Sequence, residues 1–260
     1  MKLIDSSVKE IIQAPGMNGL YEAIEYAGRI CYASEPKGNP KEFVESLIKR
    51  GHLSPLEFGT LYLKTNNVVA NYFVNNPYSR VIVLDGDENE EPEYLVTTNY
   101  RVLIEMRKPF LVEYMVDTPF AAHEKRRTFH FTLSEGIARE FCRHRANSCC
   151  QQSTRYCNFS KEKFGEEITF IKPYWYGADI KTEIFETNCK RVELEYMMLI
   201  ENGAKAQEAR EILPLSTKTE LVQCAFESDW KHFIDLRCAA AAHPDAQKLA
   251  NKIKTVLEKE

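Results

Sequence analysis

The sequence predicts an α+β protein: a mixed or antiparallel sheet flanked by several helices, in a single domain with an inserted β-rich segment. Three observations carry this expectation. At least four short stretches read as strands and several longer ones as helices, without the strict strand–helix alternation of a parallel α/β fold. The 260 residues are enough to bury a sizeable core in one large domain. Hydrophobic residues at 44% and charged residues at 28% have the balance of an ordinary soluble chain.

The elements follow in order. Leu20, Ala23, Ile24, Ala27 and Ile30 recur at helical spacing and predict a helix over residues 19–33. A second helix is expected over 40–49, with Pro40 in its first turn and Gly51 after its end. Ser54-Pro55 places residues 51–57 in a loop, and 60–65 alternate as a strand. Residues 66–127 differ in character and read as an insertion. It carries the acidic run Asp85 to Glu93, expected to be a solvated loop, and a Val-, Thr- and Tyr-rich strand over 94–104. A strand over 127–133 leads to Ser134, a plausible N-cap for a helix reaching His144 or Asn147. Beyond it come a strand at 168–171 and helices at 181–202, 204–212, 218–225, 229–242 and 245–258.

Several function classes are disfavoured. The formal net charge of −4 lacks the basic excess of a binder of nucleic-acid polymers. The N-terminus has no apolar signal-peptide region, and no apolar run approaches the ~18 residues of a membrane span, so a cytoplasmic protein is expected. The eight cysteines form no CxxC pair and no zinc-finger spacing, so no metal site is expected.

The chemistry concentrates in residues 143–156. Arg143 and Arg145 flank His144 at a helix end, and Ser153, Thr154 and Arg155 follow in an expected loop. Arg210 and Arg237 lie in short segments with apolar flanks. Guanidinium groups at this density suit phosphate or a planar polar ring, which arginine meets with a bidentate fork. Internal pairing with Glu140, Glu208 or Asp235 weighs equally for any single arginine.

The spacing favours the first reading. Arg-His-Arg, seven residues, then Ser-x-Arg-Tyr fixes six positions and resembles the signature of the flavin-dependent thymidylate synthases. Three more elements resemble that family in the same order: His52-x-Ser54-Pro55-x-Glu57, Ala209-Arg210-x-x-Leu213-Pro214 and His232-Phe233-x-x-Leu236-Arg237. The resemblance covers residues 19–64 and 127–250. It implies reductive methylation of dUMP to dTMP, with FAD as cofactor, 5,10-methylenetetrahydrofolate as one-carbon donor and NADPH as reductant, in a homotetramer with shared sites. Carried over, it implies that Arg143, Arg155 and Arg210 bind dUMP chiefly through its phosphate, and that Glu140, Gln151 and Thr154 also belong to the substrate site. Ser153 would lie against the pyrimidine, and Arg237 would meet the uracil edge; these two are the implied catalytic residues. His52, Ser54, Glu57, Arg143, His144, Arg145, Gln151 and His232 would contact FAD.

The chain also departs from the pattern. Glu140 stands where the family often has Gln, Cys150-Gln151 where it often has Asn-Glu, and Phe226-Glu227-Ser228 where it has Asn-x-Arg. Two rival readings follow. One is a cysteine-nucleophile enzyme using Cys149 or Cys150 beside His144 and Arg145. The other is a nucleotide- or flavin-binding relative without catalysis.

Overall fold

A four-stranded antiparallel sheet carries the candidate residues. The computed structural model describes residues 1–84 and 91–259; most of the acidic run, residues 85–90, lies outside the described residues. The chain opens with strands β1 (Lys2–Ile4) and β2 (Ser7–Ile11), followed by helices α1 (Gly16–Tyr32) and α2 (Pro40–Lys49). The Asn39 side chain caps α2 by accepting from the Lys41 amide. A short 3-10 turn, Ser54–Phe58, leads into β3 (Thr60–Thr65), and α3 (Asn67–Ala70) and β4 (Arg80–Leu84) follow. Next come β5 (Glu93–Asn99), α4 (Tyr100–Glu105), β6 (Arg126–Ser134), α5 (Glu135–Phe141), β7 (Ser148–Gln151) and β8 (Thr169–Ile171). The last third holds α6 (Ile180–Glu201), α7 (Ala206–Ala209), β9 (Lys218–Phe226), α8 (Glu227–Arg237) and α9 (Pro244–Leu257).

The central sheet has the order β2-β6-β9-β7, antiparallel throughout; β3-β5-β4 form a second antiparallel sheet, and β1 pairs with β8 in parallel. The α+β expectation is met. β9 separates two cores through its alternation. Leu221 and Ala225 join Phe129, Phe131, Phe141, Trp230 and Phe233 on the face covered by α5, α8 and α9. Val222 and Cys224 face Ala27 of α1, Phe58 and Cys150 on the other. Among the described residues no helix is long and apolar enough to cross a membrane.

Residues 66–127 supply β4, β5, α3 and α4. Their Val96, Val102 and Leu103 pack into one core with Leu20 and Ile24 of α1 and Val44 and Leu47 of α2. This segment therefore folds onto the main body instead of forming a linker.

Several local expectations are corrected. Residues 218–225 are the strand β9, not a helix. Leu221 to Phe226 are all buried because both faces of this central strand meet a core, so the alternation that marks a strand is erased. Residues 148–151 pair with β9 as an edge strand where a loop was expected. The helix after Ser134 stops at Phe141, short of His144. The strand expected over 94–104 ends at Asn99, whose side chain accepts from the Val102 amide and starts α4. The helix expected over 229–242 runs from Glu227 to Arg237. In place of one helix over 204–212, α7 gives way to a 3-10 turn, Arg210–Ile212. β1, β2 and β4 were not expected.

Candidate active site

Two helix ends converge on one guanidinium. Ser134 caps α5 through the Ile137 amide at 3.4 Å. At the other end Phe141 is fully buried between Phe131 and Phe233, with ring centroids 5.3 and 4.8 Å away. This fixes where the chain turns into Arg143-His144-Arg145. Arg237, in the last turn of α8, donates from Nη1 to Glu140 Oε2 at 2.7 Å and from Nη2 to the Glu140 carbonyl at 2.6 Å. Its Nε donates to His144 Nε2 at 2.9 Å. The internal pairing weighed for Arg237 is therefore present, with Glu140. A guanidinium has five N–H donors, so two remain for a ligand.

His144 is buried, 4.6 Å from the Phe233 ring and 6.1 Å from that of His232. Burial first, then the Arg237 charge and His232, push its pKa down to about 4. It is thus neutral at physiological pH, with Nε2 free to accept from Arg237. The unfolded chain binds more protons between pH 4 and the ordinary 6.5, so the stability contributed by neutral His144 is complete above 6.5 and is lost as the pH falls toward 4. The thermal midpoint of wild type should fall more steeply across that window than that of His144→Gln. Equal slopes in thermal scans would contradict this assignment.

A second group lies along α5. A cavity of about 390 Å³ is lined by Glu135, Arg139, Thr154, Arg210, Glu211 and Leu213 to Leu215. Gln151 donates to Glu135 Oε2 at 2.9 Å and so ties β7 to this wall. Burial raises the Glu135 carboxyl pKa, with Gln151 and Arg139 opposing. Arg210 meets Glu211 at 3.4 Å and is partly exposed to the cavity. From Glu135 to Glu140 the helix rises about 7.5 Å and turns by about 140°, so the Arg210 cavity and the Arg237 cluster lie on different faces of α5.

The third group is the His52 segment. His52 Nδ1 lies 3.2 Å from the Tyr32 hydroxyl, and the Tyr32 ring is 5.5 Å from that of Tyr156. The Ser153 amide donates to the Cys31 carbonyl at 3.0 Å. The 153–156 turn and the His52 segment thus meet at the C-terminus of α1. Glu57 is held by Arg101 at 2.6 Å, and Ser54, which opens the 3-10 turn, is exposed. Arg143, Arg145 and Arg155 are exposed and do not line the Arg210 cavity, although Arg155 follows Thr154, which does, and Arg143 and Arg145 flank His144, which holds Arg237.

A family model described as thymidylate synthase complementing protein matches residues 92–260. The chain belongs to this family. It is 31% identical to the flavin-dependent thymidylate synthase of Geobacter sulfurreducens over 118 residues, 45% of this chain and 50% of that one. It is 33% identical to that of Pyrococcus furiosus over 134 residues, 48% and 52% of the two chains. A probable flavin-dependent thymidylate synthase of Paramecium bursaria Chlorella virus 1 is 29% identical over 144 residues, 51% and 66% of the two chains. The chain spans about half the length of the first of these relatives. The family match begins inside the segment 66–127 and so takes in its second part.

Glu135 and Arg139 of this thymidylate synthase complementing family member were not expected at the site. Both line the cavity, and their i, i+4 spacing on α5 places them on one face, a signal that was available once the helix was assigned. The cysteine-nucleophile reading finds no support. Hydrogen bonding to Cys142 and burial push the Cys149 thiol up, and hydrogen bonding to Cys31 and burial do the same for Cys150. Neither is poised as a thiolate. Cys149→Ser and Cys150→Ser should each keep most of the activity. A folded, flavin-loaded variant of either kind that forms no dTMP would restore the thiol reading.

Proposed function

We propose that this protein converts dUMP to dTMP by FAD-dependent reductive methylation, with 5,10-methylenetetrahydrofolate as one-carbon donor and NADPH as reductant. The observation that carries the proposal is the Arg237 cluster. Three of the guanidinium's donors are fixed by Glu140 and neutral His144 at the end of α5, and a cavity at the start of the same helix holds Arg210 and Thr154. Such preorganisation is what a group needs if it is to stabilise charge developing on a bound ring.

In this reading Arg210 and Thr154 hold the nucleotide phosphate, with Arg143 and Arg155 joining from the exposed turn. Gln151 and Ser153 align the pyrimidine. Glu140 and His144 position Arg237, which places positive charge at the uracil edge and favours electron density at C5. The donor set suits a flavin dinucleotide: the imidazoles of His52, His144 and His232 offer flat faces, and Arg145 and Arg143 offer cations for its phosphates. Ser54 would also contact the flavin. Glu57 is already paired with Arg101, so it would act mainly by shaping the His52 segment. When bound, the flavin supplies the hydride chemistry that protein side chains lack.

Arg143 and Arg155 do not line the Arg210 cavity in one chain, and a homotetramer in which copies complete one another's sites would supply such arginines from a second copy. We place the protein in the cytoplasm, in keeping with its eight free cysteines. The purified protein should show flavin absorbance bands, or gain them on incubation with FAD. A spectrum without flavin even after excess FAD would count against the proposal.

A further inference from the structure

Cys142 and Cys149 bracket the Arg143-His144-Arg145 turn. Cys142 is the exposed residue that ends α5, and Cys149 is a half-buried residue of β7. Sheet register brings them together. Cys149 lies opposite Gln223, whose Nε2 donates to the Cys149 sulfur at 3.0 Å and to the carbonyl of Phe141, the residue before Cys142, at 3.1 Å. The Cys142 sulfur lies 3.9 Å from Gln151 Oε1, and Gln151 stands two residues along β7 from Cys149, on the same face of the strand. Successive strand residues point to opposite faces, so the neighbouring Cys150 instead packs into the core on the other side of the sheet, against which Cys31 lies.

We propose that Cys142 and Cys149 are an oxidation site: hydrogen peroxide joins them in a reversible disulfide that closes a ring around residues 143–148. The Cys142 sulfur attacks peroxide, the O–O bond breaks, and a sulfenic acid and one water form. The Cys149 sulfur then attacks the Cys142 sulfur, the S–O bond breaks, and a second water leaves with the Cys149 proton. Two thiols are oxidised by two electrons and one peroxide is reduced to two waters. Cys142 reacts first because it is exposed and the neighbouring Cys149 thiol lowers its pKa, which favours the thiolate. Cys150 is buried, which slows its own oxidation. The link is independent of the reaction proposed above, although it encloses residues assigned there.

The test is disulfide mapping on the native full-length protein. After peroxide treatment, free thiols are alkylated before unfolding, and the chain is cut with trypsin without reduction. Cleavage after Arg139, Arg143, Arg145 and Arg155 puts Cys142 in peptide 140–143 and Cys149 in peptide 146–155. Wild type and Cys150→Ser should yield these two peptides joined, two hydrogens lighter than their sum and separated by dithiothreitol. Cys149→Ser should yield no joined pair, and neither should Cys142→Ser, whose exposed position tolerates the change. Cys142 carrying only sulfenic or sulfinic oxygen in treated wild type would overturn the proposal. A joined pair that persists in Cys149→Ser would overturn it equally.

Discussion

Arg237→Ala should lower turnover about 10²–10³-fold at saturating dUMP, the usual cost of removing one preorganised donor to developing charge. The interaction of Arg237 with the ring would strengthen as negative charge accumulates, so its loss should appear in kcat more than in KM. Arg155→Lys makes the contrast. Arg155 is exposed and is expected to meet phosphate, where lysine keeps the charge but loses the fork. It should raise the KM for dUMP more than it lowers kcat. Glu140 adds a further readout: Glu140→Gln keeps a carbonyl acceptor near Arg237 but removes the charge of the 2.7 Å pair. Steady-state kinetics on all three, with flavin content checked by absorbance, separates these roles. Near-wild-type turnover of Arg237→Ala at saturating dUMP would refute the assignment.

Trp230→Ala should cost about 3–5 kcal/mol of stability, the range for deleting a large buried aromatic side chain. Trp230 is fully buried, its ring centroid 5.0 Å from Phe129 and 5.1 Å from Phe233, and its indole donates to the Arg127 carbonyl at 3.0 Å. The variant loses apolar contacts, leaves a cavity between α8 and the central sheet, and strips a buried carbonyl of its donor. Phe233 then loses one wall, and Phe233 lies 4.6 Å from the His144 ring. The damage should therefore spread to the Arg237 cluster. Urea unfolding of both proteins measures the cost; a loss below about 1 kcal/mol would mean that this core repacks, in contrast to the usual behaviour of such sites.

The parts of this fold that were legible in the sequence are those where one periodicity acts alone. α1 and α2 each bury one stripe against one core, so their apolar residues recur at helical spacing. Ser134 announced α5 because a hydroxyl before an apolar run is the chemistry of an N-cap. β9 was misread because Leu221 and Ala225 serve one core while Val222 and Cys224 serve another, leaving no polar face. β7 is an edge strand of Ser148 to Gln151 with no β-branched residue, and only its pairing with β9 makes it a strand. The site divides in the same way. The arginines and histidines of the motifs were visible because their spacing is specific. Glu135 and Arg139 were not, because their importance lies in a cavity formed with Arg210, distant in sequence. The Arg101 pairing with Glu57 likewise depends on how the segment 66–127 folds back on the His52 segment.

The proposed activity is synthesis of dTMP with a bound flavin. The most direct measurement is an anaerobic incubation of the purified protein with dUMP, 5,10-methylenetetrahydrofolate, FAD and NADPH, with the nucleotides separated afterwards. dTMP should form in the complete mixture, and none should form from apoprotein when FAD is withheld. A flavin-loaded, folded protein that leaves dUMP unchanged in the complete mixture would contradict it and favour a binding protein without catalysis.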